Sequence, residues 1–267
     1  MTGILAEILA HKRSEVERAR ADRPVDQLQS LSGYHLPRRN FYGAVTAPGR
    51  SGPNLIAEVK RSSPSAGLIQ ADFDPVRIAE QYAAGGARAL SVLTDEKYFG
   101  GRLEYIDRIK AAVGLPVLRK DFLIDAYQVY ESRAGGADAV LVIGDALEAR
   151  VAAELVALAR TLGLCVLLEV HTRSALFEAL KVIHASADAG VLLGINNRDL
   201  AAQRVDLATT EELAPLVAPG VPIVAESGVR TRSDVERLHA AGARAILVGE
   251  TLLRSGDPQR TIRELFG

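Results

Sequence analysis

The chain has 267 residues, of which 48% are hydrophobic and 24% charged, with a formal net charge of -1. That length carries one large core or two small ones, and the composition is that of an ordinary globular protein. So balanced a charge argues against nucleic acid and against a membrane surface as partners, because both are held by bulk electrostatics.

Met1-Thr2-Gly3-Ile4-Leu5 shows no basic leader, and no apolar run approaches the length of a membrane span, so a cytoplasmic location is expected. Residues 3 to about 21 predict a helix, with Ile4, Leu5, Ile8 and Leu9 on one stripe and charged residues from Lys12 onward. Residues 22–53 are less regular and carry Pro24, Pro37, Pro48 and Pro53. Residues 1–53 therefore predict an N-terminal helical extension before a main domain over 54–267. Arg38 and Arg39 read either as contacts to an anionic ligand or, more commonly for such residues, as solvated loop arginines.

From Leu55 onward a unit repeats: a short apolar run, a polar loop, then an amphipathic helix. The runs are 55–59, 89–93, 116–119, 138–143, 164–170, 190–195, 222–226 and 244–248. Near-continuous apolarity predicts strands buried on both faces, and the helical segments between them predict a parallel sheet. Asp74-Pro75 and Asp257-Pro258 supply an N-cap followed by proline at the first helical position, and Thr231 with Asp234 makes a capping-box start. Gly86-Ala87, Gly136-Ala137 and Gly242-Ala243 are three copies of one helix-to-strand junction, with glycine for a left-handed turn. An open doubly wound sheet would announce a glycine-rich phosphate turn after its first strand, and none is present. The expected fold is α/β, a single (β/α)8 barrel.

In such a barrel the chemistry gathers at the carboxyl ends of the strands. Those ends carry Glu58, Lys60 and Ser63; Ser91, Thr94 and Asp95; Lys120, Asp121 and Phe122; Glu169 and His171; Asn196, Asn197 and Arg198; Glu226 and Ser227; and Gly249 and Glu250. Alternation puts Glu58 and Lys60 on one face of the first strand. Two lysines and three glutamates at one mouth are a costly arrangement for a structural purpose, because buried charges destabilise unless paired. Ser227-Gly228 and Gly249-Glu250 follow the seventh and eighth runs, where barrels commonly bind phosphate on backbone N–H groups. The five histidines are scattered without ligand spacing, so no metal site is expected, and His171 reads as a supporting residue. Cys165 sits inside Leu164-Cys165-Val166-Leu167, which predicts a packed core thiol and excludes a disulfide framework.

Taken together the strand-end motifs resemble the indole-3-glycerol-phosphate synthases of tryptophan biosynthesis. The resemblance rests on residues 56–65 (IAEVKRSSPS), 90–95 (LSVLTD), 120–122 (KDF), 169–171 (EVH), 194–200 (GINNRDL) and 225–228 (AESG), and it extends over nearly the whole chain, including the N-terminal helix. It implies a lyase that decarboxylates, closes and dehydrates 1-(2-carboxyphenylamino)-1-deoxyribulose 5-phosphate. By this resemblance Lys120 is the general acid, Lys60 holds the substrate carboxylate, Glu169 is the base and Glu58 orients the lysines. Asn196, Arg198 and Glu226 hold sugar hydroxyls or position charges. Ser63, Phe99 and Phe122 contact substrate, the two rings in an aryl pocket, and Ser227, Gly228, Gly249 and the Glu250 backbone take the phosphate. No cofactor is required, since no hydride or electron moves. The partner is a phosphorylated small molecule, with monomer and weak homo-oligomer both left open. Two alternatives stand beside this reading. Phosphoribosylanthranilate isomerase shares the fold but needs a cysteine at the end of the first strand, where this chain has Glu58 and Lys60. A barrel that only binds a phosphorylated ligand would need no paired acid and base.

Overall fold

The computed structural model describes residues 3–49, 52–186, 190–199 and 204–267. Among these, eight parallel strands close into a barrel. They are β1 (Asn54–Val59), β2 (Ala89–Leu93), β3 (Val117–Lys120), β4 (Ala139–Ile143), β5 (Cys165–Val170), β6 (Val191–Asn196), β7 (Ile223–Glu226) and β8 (Ala243–Val248). Each begins and ends within one residue of its apolar run. Neighbours in sequence pair in space, and β8 closes on β1 from Asn54↔Ala245 to Ala57↔Val248. Closure excludes the open doubly wound sheet. No helix among the described residues is long and apolar enough to cross a membrane.

Side-chain alternation splits each strand between two cores. Leu55, Ala57 and Val59 face outward and pack under the helices. Ile56, Leu118, Leu141, Cys165, Leu167, Leu192, Val224 and Leu247 pack together inside the barrel. Period two then carries the interior face to the mouth: Glu58 follows Ile56, Lys120 follows Leu118, Glu169 follows Leu167, Asn196 follows Leu192, and Glu226 follows Val224. Cys165 is buried, and burial pushes its thiol up to about 12, as a core thiol should behave.

The connecting helices start where their caps dictate. Asp74 accepts from Val76 N–H at 3.0 Å with Pro75 behind it, opening α5 (Pro75–Gly85), and Thr231 with Asp234 forms a complete capping box before α7 (Arg232–Ala240). The three repeated junction glycines take positive φ: Gly86 at 106°, Gly136 at 83° and Gly242 at 108°.

The N-terminal residues wrap the barrel from mouth to floor. The helix α1 (Ile4–Asp22) begins over the mouth and continues beside α6 (Ala126–Ala134), where the Tyr127 hydroxyl donates to Ala19 O at 2.8 Å. The stretch expected to be irregular contains three short helices, α2 (Val25–Ser30), α3 (Ser32–His35) and α4 (Phe41–Thr46). Helix α4 seals the floor: Phe41 and Val45 are buried within the barrel-interior cluster, and Asn54, the first residue of β1, donates to Val45 O at 2.9 Å. Arg38 and Arg39 are half-buried, and both are engaged by backbone carbonyls. Arg39 donates to the carbonyls of Lys110, Val113 and Leu115, and Arg38 to those of Arg133 and Ala137. They satisfy helix-end and loop carbonyls under β3 and β4, at the opposite end from the mouth.

Candidate active site

The mouth holds two adjoining recesses. The first, ≈ 150 Å³, has apolar walls from Ile4, Leu5 and Ile8 of α1, from Leu141 and Ile143 of β4, and from Phe99 and Phe122. The two phenylalanine rings stand 6.0 Å apart, centroid to centroid, and tilted by 40°, so they form an open-sided slot rather than a stack. Ser63 lines the same recess, its hydroxyl accepting from Ala66 N–H at 3.2 Å within the hairpin that pairs Ser62–Ser63 with Gly67–Leu68. The second recess, ≈ 320 Å³, is walled by Ser227, Gly228, Gly249 and Glu250 and also by Arg230 and Arg254. Glu58, Lys60, Lys120, Arg198 and Ser227 line both.

The charged groups lie on the floor between the recesses. Lys60 Nζ donates to Glu58 Oε1 at 2.6 Å. Lys120 Nζ stands 3.3 Å from Glu169 Oε2 and 3.4 Å from Glu226 Oε2, bridging two carboxylates from different strands. Burial alone would disfavour the charged lysine, but Glu169, Glu226 and Glu58 outweigh it and hold Lys120 above the ordinary lysine range. The glutamates divide. Burial, then the neighbouring Glu169 charge, push Glu226 up to about 8. Burial also opposes ionisation of Glu169, but Lys120 and His171 more than offset it and hold that carboxyl below its usual range. Glu58 is likewise held low by Lys60 and Lys120 against its own burial.

Asn196 pairs in register with Glu226, and its Oδ1 accepts from Arg198 N–H at 3.0 Å, which turns the chain at the end of β6. The Arg198 guanidinium reaches toward Ser65 Oγ at 3.5 Å, across the rim from the β1 hairpin. Leu200, the last residue of the 194–200 motif, lies outside the described residues. At the second recess Ser227 and Gly228 both take positive φ, 67° and 94°, and Ser227 is the only non-glycine among the described residues to do so. That conformation costs a non-glycine residue about 1–3 kcal/mol and is typically retained where a site needs it. Gly249 has a second use beyond the recess. A Cβ there would stand 2.5 Å from Glu58 Oε1, so the missing side chain is what admits the glutamate.

The profile of the family described as Indole-3-glycerol phosphate synthase matches residues 5–265. The chain belongs to that family. It is 47% identical over 267 residues to an indole-3-glycerol phosphate synthase of Acidithiobacillus ferrooxidans, covering 100% of this chain and 99% of the relative. It is 46% identical over 268 residues to one of Rhodospirillum rubrum, covering 100% of both. Among solved structures, a 3-hexulose-6-phosphate synthase superposes with a TM-score of 0.60 at 17% identity, over 79% of this chain and 97% of that one. The orotidine 5′-phosphate decarboxylase of Pyrococcus horikoshii OT3 gives 0.58 at 14%, over the same 79% and 97%. At such identities these two likenesses speak for the barrel fold alone.

Every site residue expected from the family resemblance lines one of the two recesses. Five of the strand-end residues, Ser91, Thr94, Asp95, His171 and Asn197, line neither recess. Thr94 donates to Asp121 Oδ2 at 2.6 Å and Asp95 pairs with Lys12 at 2.9 Å, both turned away into a buried charge cluster. Lys12 is wholly buried on α1 and also meets Asp121 Oδ1 at 2.9 Å, so the helix is pinned beside the residue that follows Lys120. Sequence reasoning missed this, along with the apolar wall that α1 gives the slot. The available signal was the α1 stripe of Ile4, Leu5 and Ile8, an apolar face that needs a partner.

Proposed function

We propose that this mouth converts 1-(2-carboxyphenylamino)-1-deoxyribulose 5-phosphate into indole-3-glycerol phosphate, CO2 and water, a step of tryptophan biosynthesis, in the cytoplasm. The observation that carries the reading is Lys120, bridged by Glu169 and Glu226 and set between an aryl-sized apolar slot and a glycine-walled recess. The phosphate rests on the backbone of Ser227, Gly228, Gly249 and Glu250, and the aryl ring lies in the apolar recess against Phe99 and Phe122. This places the ketone over Lys120 and the ring carboxylate near Lys60.

Lys120 enters turnover protonated, because its carboxylate neighbours favour the charged form. It gives up its proton only as the ring carbon attacks and the ketone oxygen gains alkoxide character, since a developing alkoxide is a far stronger base than a ketone. The carboxylate then leaves as CO2, its bonding electrons restoring the aromatic ring. In the last step Lys60, released from the departed carboxylate, gives a proton to the new hydroxyl, which leaves as water, and Glu169, the ionised carboxylate, takes the proton that the pyrrole ring sheds. Asn196, Arg198 and Glu226 hold the sugar hydroxyls and the charges around them. Glu58 keeps Lys60 in place.

A turnover assay on the anilino-ribulose substrate, set beside a binding measurement, tests the reading: a binding-only barrel would take the ligand without forming an indole. Lys120→Met should lower kcat by ~10²–10⁴-fold while product-like ligands still bind. Lys60→Met should raise KM as well, because it removes the carboxylate's counter-charge in the ground state. Retention of more than about a tenth of kcat in Lys120→Met would exclude the usual ~10²-fold of general-acid help and overturn the assignment of Lys120.

A further inference from the structure

Two carboxylates share one lysine at this mouth at nearly equal distance. Lys120 Nζ donates to Glu169 Oε2 at 3.3 Å and stands 3.4 Å from Glu226 Oε2 without a hydrogen bond, so the lysine leans toward Glu169 only slightly. Both glutamates are almost fully buried, on neighbouring parts of the barrel interior. Glu58 faces them from β1, but its own charge is matched by Lys60 at 2.6 Å. The larger asymmetry comes from a residue that none of the steps above uses. His171 Nε2 stands 3.2 Å from Glu169 Oε1, an ion-pair contact outside hydrogen-bond geometry, whereas Glu226 has only Lys120 as a cation within 4 Å among the described residues.

His171 is itself held from behind. Its Nδ1 lies 3.1 Å from Asp145 Oδ2, which also accepts the His171 backbone N–H at 2.8 Å. The other oxygen of Asp145 takes the Thr172 hydroxyl at 2.9 Å. Asp145 comes from the single turn after β4 (Gly144–Ala146) and His171 from the end of β5, so the two loops are tied at three points. A ring with a carboxylate facing each nitrogen sits in a field that favours the imidazolium.

We propose that His171, oriented by Asp145, is a positioning residue that makes Glu169 rather than Glu226 the ionised carboxylate beside Lys120, and so selects which of the two serves as the base. The proposal rests on the reading that Glu169 takes a proton during dehydration. Its logic is Coulombic: two buried carboxylates this close do not both ionise readily, and a second cation touching only one of them breaks the tie. The charged and titratable groups facing the pair are Lys120 from β3, Glu58 with Lys60 from β1, His171 from the end of β5 and Asp145 behind it. Burial works against a charged His171, but Asp145 and Glu169 on its two sides push it up to about 10, so it stays a cation through the neutral range.

The test is the pH dependence of the single-turnover rate in His171→Asn, His171→Gln, Asp145→Asn and Glu169→Gln. With the cation removed, Glu169 holds its proton to higher pH. The acid limb of the His171 variants should therefore move up by about one unit or more, with the rate above the limb little changed and KM within about twofold. Asp145→Asn should shift the limb the same way by less, and it carries the test alone should the His171 variants fold poorly. A residue that only supports the loop would lower stability without moving the limb. If Glu169→Gln abolishes turnover but the acid limb stays in place in every His171 and Asp145 variant, the tie-breaking role is overturned while the base assignment stands. If Glu169→Gln keeps near-normal turnover, the base assignment falls, and this inference with it.

Discussion

Lys12→Met is the most informative single change outside the mouth. Methionine keeps much of the length and apolar volume but removes a charge that is fully buried. Lys12 Nζ lies 3.0 Å from Glu15, 2.9 Å from Asp95 and 2.9 Å from Asp121. Without it Asp121 keeps Arg119 at 3.0 Å and the Thr94 hydroxyl at 2.6 Å. Asp95 keeps only the Tyr98 N–H at 2.8 Å and no cation. One buried carboxylate is then uncompensated, which costs ~3–5 kcal/mol. At ~2–4 °C per kcal/mol for chains of about this size, Tm should fall by ~6–20 °C. Asp95→Asn removes the orphaned charge, so the double variant Lys12→Met/Asp95→Asn should be more stable than Lys12→Met alone, a non-additivity expected only if the two groups interact. Burial opposes ionisation of Asp121, but Arg119 and Lys12 hold it below the usual carboxylate range, so its contribution is present above pH ~4 and lost as pH falls. Acid unfolding of Lys12→Met should accordingly begin at higher pH. Because α1 also walls the aryl slot, KM should rise in step. Calorimetry and steady-state kinetics measure both. A fall in Tm below about 2 °C, well under that range, together with an unchanged KM, would show that apolar packing alone docks the helix.

Gly249→Val should lower kcat by ~10²-fold as well as raise KM, because its Cβ would displace Glu58, and misplacement on the order of 1 Å at a catalytic group costs that much; a change in KM alone would mean that the position of Glu58 is unimportant. Phe122→Ala opens one side of the aryl slot and should raise KM by ~10-fold or more, with little effect on the rate at saturation; equal KM values would move the aryl ring elsewhere. Glu226→Gln tests the raised carboxyl by stability. With a folded value of about 8 against ~4.3 unfolded, the native state holds a proton that the unfolded chain has lost, so the wild type loses stability as pH rises between those values. The glutamine variant should show a flatter Tm over pH 5 to 8, and identical slopes would refute the shift.

The structure separates the two ends of the barrel by function. Arg38, Arg39 and α4 close the floor with backbone hydrogen bonds and apolar packing, which leaves the mouth as the place where charge is concentrated. The site glutamates can stay buried because each is answered within the barrel: Glu58 by Lys60, Glu169 by Lys120 and His171, and Glu226 by the proton it retains. This satisfies the physical objection raised by so many charges at one mouth.

The local pattern of the sequence was enough for the barrel and for the inward direction of its polar strand ends. Eight apolar runs with helices between them admit few parallel folds, and the period of two that puts Ile56 and Leu118 inside puts Glu58 and Lys120 inside too. The family's motifs then supplied the roles. What depended on the tertiary structure is the set of contacts between residues far apart in the chain. Lys12 lies more than eighty residues from Asp95 and more than a hundred from Asp121, and Arg39 reaches Val113 across 74 positions. His171 and Asp145 stand on successive loops that the pairing of β4 with β5 brings together. Gly249 reads as a phosphate-loop glycine until Glu58 is found against it. Periodicity says which face a side chain takes. Which distant partner it meets, and therefore which of two equivalent glutamates stays ionised, is decided by strand register and helix docking, to which a single strand's pattern is blind.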